Sequence, residues 1–122
     1  MRLVFGEKDA PYEEARVVVL PVPYDLSLSF LPGARVGPEA ILLASRELEP
    51  FLLELGAAPE EVGIHAAEPV PWVAGMAEES HRLIREEALK HLRAGKWLVA
   101  LGGDHSVTHP LVQAHREALG EF

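Results

Sequence analysis

The chain has 122 residues, 48% hydrophobic and 25% charged, which places it with ordinary globular domains rather than disordered or fibrous chains. A net charge of -8, with the 11 Lys and Arg scattered, argues against nucleic acid or an anionic membrane as partner, since either needs a concentrated basic patch. The absence of cysteine excludes disulfides and thiolate chemistry. Nothing resembles a secretory signal or a bilayer-spanning run, so the expectation is a soluble cytoplasmic protein. There is no Asn and a single Gln, Gln113, a bias that matches the sparing use of thermolabile amides in thermophiles.

In chain order, residues 1–16 read as a short lead-in, interrupted by Pro11. Arg16 to Leu20 is a β-branched run of strand length, expected to stop at Pro21. Residues 21–38 follow with four prolines, two glycines and no helical period. A loop of that length is usually functional, and Leu26, Leu28, Phe30 and Leu31 suggest that it packs against something. Pro38 suits the first turn of a helix running on through Glu39 to Ser45.

A second short helix is expected over residues 47–55, and a short strand over 61–65. Between about 74 and 94, Ala77, His81, Ile84, Ala88 and Leu92 recur at the helical period. That makes His81 a packing residue, with Glu78 and Arg82 paired on the solvated face and Gly95 at the C-cap. His65, His91 and His115 have no evident partner. Residues 97–101, Trp-Leu-Val-Ala-Leu, read as a strand buried on both faces, and a last helix runs from about Leu111 to the end. Alternating strands and helices imply an α/β fold, a parallel central sheet with helices on both faces. The strand at 97–101 lacks a later neighbour, so the domain is expected to be incomplete.

The chemistry concentrates after that strand, in Gly102-Gly103-Asp104-His105-Ser106. Two glycines permit a sharp turn at the carboxyl end of a parallel strand, where open sheets place their sites, and a carboxylate, an imidazole and a hydroxyl follow at once. Two readings of these residues stay open. Asp104 or Ser106 caps the following helix with His105 an ordinary turn residue, or His105 binds a metal such as Mn, Zn, Fe or Ni with Asp104 orienting a neighbour. His105 and His109 stand four apart, but Ser106 occupies the position where a zincin-like pair needs Glu, so they read as unrelated.

The run from Leu101 to Pro110, LGGDHSVTHP, resembles the first metal-site signature of the ureohydrolases: arginase, agmatinase and formiminoglutamase. Residues 23–38, PYDLSLSFLPGARVGP, independently resemble the agmatinase-type loop after the first strand. The resemblance covers roughly residues 14–119 and implies an arginase-like three-layer fold with two Mn ions at the strand ends. His105 would be a ligand of one ion. A hydroxide bridging the two ions would attack a guanidinium carbon, releasing urea and an amine. Tyr24, Asp25, Gly33, Arg35 and Gly37 would belong to the substrate-cleft loop, and Gly102, Gly103, Asp104 and Ser106 to the turn around the ligand.

The remaining family ligands, in D-A-H-x-D and D-x-D-x-x-D-P segments, do not occur in these residues. A two-metal site cannot be held by one imidazole. The expectation is one partial domain over 1–122, the N-terminal half of a ureohydrolase acting on a small guanidino substrate. It would be inactive alone, and a homo-oligomer or paired with a C-terminal half. The alternatives are a half-domain kept for association, or a small single-metal protein using His105 and His109.

Overall fold

The computed structural model describes residues 2–26 and 31–121. Six principal elements follow in order: β1 (Val17–Val22), α1 (Gly37–Ala44), β2 (Ile64–Ala66), α2 (Ala77–Arg93), β3 (Trp97–Gly102) and α3 (Thr108–Leu119). The three strands form a parallel sheet in the order β2-β1-β3, with β1 in the middle as the apolar run of Val17 to Val22 requires.

β1 does not stop at Pro21. It continues to Val22, pairing Pro21 with Leu101 and Val22 with Gly102. The carbonyl of Pro21 accepts the Val70 N–H at 2.9 Å on the β2 side, and N–H and C=O of one strand residue point the same way. The donor that proline lacks therefore faces a place beyond the end of β2, where no ladder bond is forfeited.

Val18, Leu20 and Val22 point to one face, where they form the core with Ile84, Ala88, Leu89 and Leu92 of α2 and Ala114 of α3. α2 ends where expected, Gly95 taking φ +78° and returning its N–H to Leu92 O at 3.0 Å. On its solvated face Arg82 pairs with Glu79 and Glu86 rather than Glu78, Glu79 taking Nε and Nη2 of the guanidinium and Glu86 taking Nη1. The opposite sheet face carries Val19 and Pro21, beside which α1 lays the buried Leu42.

β3 is not buried on both faces. Leu98 and Ala100 pack on the core, whereas Trp97 is 76% and Val99 47% exposed. Among the described residues β3 pairs only with β1, so its outer edge is unpaired and Trp97 and Val99 on its second face are uncovered.

Residues 47–55 are not a helix. Leu48 is extended, and residues 52–57 close a tight reversal with the Leu52 and Ala57 backbones bridged. Pro50 disfavours helix for the residue before it, and Leu53 and Leu55, 85% and 74% exposed, bury no apolar face that would hold one.

The histidines without evident partners in the sequence have them in the fold. His65 Nδ1 lies 2.9 Å from Ala10 O and 3.3 Å from Asp9, and His115 Nδ1 is 2.8 Å from Leu111 O. The buried His91 has Nδ1 2.9 Å from Tyr12 Oη.

Candidate functional site

The site is built where β1 and β3 end side by side. β3 runs out at Gly102, and Gly103 turns the chain at φ +57° so closely that a Cβ there would stand 2.5 Å from Val22 O and 2.6 Å from Tyr24 O. Asp104 then donates its N–H to Tyr24 O at 2.8 Å. The Gly-Gly pair therefore serves close approach as well as turning, seating the turn on the first residues of the loop.

The Asp104 side chain, buried, caps the turn of 3-10 helix at His105–Val107. Its Oδ1 accepts Ser106 N–H at 3.0 Å and the Ser106 hydroxyl, and its Oδ2 accepts Leu26 N–H at 3.1 Å. The cap read from the sequence is thus formed by Asp104. It leaves the adjacent His105 exposed at the carboxyl end of β3, with Nδ1 3.4 Å from Thr108 Oγ1. His109 is exposed on the first turn of α3.

Asp25 does for the loop what Asp104 does for the turn. Its buried carboxylate accepts from Gly33 N at 2.9 Å, Arg35 N at 3.4 Å and Arg35 Nε at 3.0 Å, drawing the two ends of the loop together. The Gly33 N–H first, and the Arg35 guanidinium after it, hold the Asp25 carboxyl below the usual carboxylate range. Gly33 itself takes φ +124°. Gly37 opens α1 against Gly102, a Cβ there coming within 3.1 Å of Gly102 O.

All ten site residues read from the sequence thus belong to two linked segments, the loop and the turn. Leu28 and Phe30 lie outside the described residues. Leu31 is 67% exposed rather than packed.

Sequence reasoning missed the aromatic support beneath these segments. Tyr24, 1% exposed, meets Trp72 edge-on at 6.1 Å and His81 at 5.2 Å, and the Arg35 guanidinium lies 5.4 Å above Trp72. Burial, and then the negative charge of Asp104, push the Tyr24 hydroxyl above its ordinary pKa. Pro69 and Pro71 bound a connection that leads to Trp72, but no local pattern says what that ring will touch. An open cleft of about 640 Å³ lies beside the loop between α1 and the strand ends, walled by Pro21, Pro23, Arg35, Pro38, Leu42 and Ala67.

As a metal centre the described residues are a partial donor set. No three His, Asp or Glu among them are grouped to hold an ion, and Asp25 Oδ2 and both Asp104 oxygens already accept hydrogen bonds. His105 offers one imidazole, and further donors must come from outside these residues.

A parallel sheet with helices on both faces and a glycine-hinged turn at the top of β3 defines the class, an α/β domain of the arginase fold. It superposes with a TM-score of 0.83 on a hypothetical agmatinase from Burkholderia thailandensis, at 31% identity over 91% of this chain and 36% of that one. A Trypanosoma cruzi formiminoglutamase solved with Mn2+2 shares the fold, with a TM-score of 0.75 and 24% identity over 88% of this chain and 38% of that one. The chain belongs to the Arginase family, whose profile matches residues 15–122. It is 99% identical over all 122 residues to an N(1)-aminopropylagmatine ureohydrolase of Thermus thermophilus, covering 42% of that protein. The chain therefore spans about two-fifths of the length of the curated relatives it matches. No helix among the described residues is long and apolar enough to cross a membrane.

Proposed function

We propose that these residues form part of a manganese-dependent, cytoplasmic ureohydrolase. The complete protein adds water to the guanidinium carbon of an agmatine-like amine and releases urea and the shortened amine. The similarity to the Thermus thermophilus protein favours N(1)-aminopropylagmatine as the substrate. The observation that carries this reading is the exposed His105 at the carboxyl end of β3, with the loop of residues 24–38 hydrogen-bonded to the same turn.

In this reading His105 is one metal donor and residues 24–38 form part of the substrate-cleft wall. Asp104 and Asp25 bind neither metal nor substrate. They hold the turn and the loop in register, both oxygens of Asp104 and the Oδ2 of Asp25 accepting from internal donors. The chemistry manganese supplies in such centres is a bound water acidic enough to act as hydroxide near neutral pH. The open edge of β3 and the exposed Trp97 favour a further protein segment packed there, either the remainder of the same domain or a second subunit.

The test is urea release with Mn supplied, from N(1)-aminopropylagmatine, agmatine and arginine, by a full-length protein carrying these residues and by the 122 residues alone. Turnover is expected from the first and none from the second. His105→Ala is expected to lower full-length turnover by at least about 100-fold, and wild-type turnover in that variant would sink the assignment.

A further inference from the structure

His81 sits on the stripe that α2 turns toward the core, and its period alone makes it a packing residue. Its contacts say otherwise. The ring lies 5.2 Å from that of Tyr24, and Nε2 is 3.4 Å from Ser106 Oγ. Tyr24 belongs to the loop and Ser106 to the turn, so one half-buried ring on a third element touches both.

The direction of the hydrogen bonds follows from the group at the end of the line. An ionised Asp104 only accepts, so the Ser106 hydroxyl donates to Oδ1. The Ser106 oxygen is then the acceptor toward α2, and His81 donates from Nε2. Through Oδ2 the same carboxylate takes the Leu26 N–H. A line of hydrogen bonds thus joins α2 through Ser106 to the Asp104 carboxylate, which also accepts from the backbone of the loop, with His105 between the two turn residues.

α2 is the rigid partner in this arrangement, anchored by Ile84 and Ala88, both fully buried. The turn meets the start of the loop through one backbone bond, Asp104 N–H to Tyr24 O, and through the Asp104 carboxylate, so few contacts fix their spacing.

We infer that His81 is a positioning residue: its Nε2–H orients the Ser106 hydroxyl so that Ser106 and Asp104 keep the turn bearing His105 and the start of the loop at one spacing. Its effect on turnover rests on the proposed ureohydrolase reading. Its effect on loop order does not.

The test uses a full-length protein carrying this segment. His81→Phe keeps a ring against Tyr24 and removes the donor, and His81→Gln restores a side-chain N–H. His81→Phe is expected to melt as wild type does, to lose about 10-fold in kcat/KM, and to be cut faster by trypsin after Arg35 in the loop. His81→Gln is expected to recover both properties. Wild-type kinetics and cleavage in His81→Phe, or no recovery in His81→Gln, would overturn the inference.

Should the phenylalanine not be accommodated and the variant melt early, Ser106→Ala removes the acceptor instead. It is expected to show the same losses with unaltered melting, and wild-type behaviour there overturns the inference equally. A wild-type protein that releases no urea would count against the proposed function, and the cleavage rates after Arg35 would still decide the role of His81.

Discussion

Gly103 is under two constraints at once, a positive φ and backbone oxygens 2.5 and 2.6 Å from where a Cβ would stand. Gly95 has φ +78° but nothing within 4 Å of its Cβ position. Gly103→Ala is therefore expected to cost about 3 kcal/mol or more, against about 1–2 kcal/mol for Gly95→Ala, in urea denaturation of the full-length protein. Equal losses would mean that the close approach of turn and loop has no energetic weight. At Asp25 the folded pKa lies below the ordinary value of 3.8, so its hold on the loop is complete above that value and is lost as pH falls through the lower folded one. Amide exchange at Gly33 and Arg35 is expected to quicken only in that acid range, and in Asp25→Asn to be quick already at neutral pH. The residue types of the turn were legible in the sequence because Gly-Gly-Asp-His-Ser at a strand end has few geometries. The acceptor roles of Asp25, and of Asp104 toward Leu26, were not, because those partners stand eight, ten and 78 positions away.

Elements were legible where period and punctuation agreed. α2 shows both, an apolar stripe and a glycine stop, and it forms with Ile84 fully buried. Ile84→Ala is expected to cost about 3 kcal/mol, read as a shift of the urea midpoint with unchanged slope. Residues 47–55 have helix-forming composition without a face to bury, and composition alone misled there. His91 shows what an element gains from its neighbours. Burial first, with Lys90 and His65 adding to it, lowers its pKa below 6.5 against the opposing pull of Glu87, while Tyr12 Oη meets its Nδ1. As pH falls below 6.5 the unfolded chain takes up this proton before the folded one does. The stability present above that value is therefore lost as pH falls through the folded pKa. His91→Phe is expected to flatten the decline in melting temperature between about pH 7 and 5, and an unchanged decline would place the titration elsewhere.

At the scale of the molecule the open feature is β3, which among the described residues is paired on one side only and carries a 76% exposed Trp97. With the 122 residues alone, Trp97 emission is expected to be red-shifted, to lose that component in Trp97→Phe, and to move to the blue in the full-length protein. Identical spectra in the two forms would mean that nothing covers this face. The chain's order of strands and helices, its glycine-hinged turn and its family resemblance could all be read from residues near one another in sequence, because period, capping and turn chemistry act over a few positions. Which face of β3 meets solvent, that β1 passes through Pro21, and that His81, Trp72 and Tyr24 gather under the turn were settled only by the packing of α2 and the sheet. Burial and hydrogen-bond partners are properties of what lies across space, and no stretch of sequence contains its own neighbour.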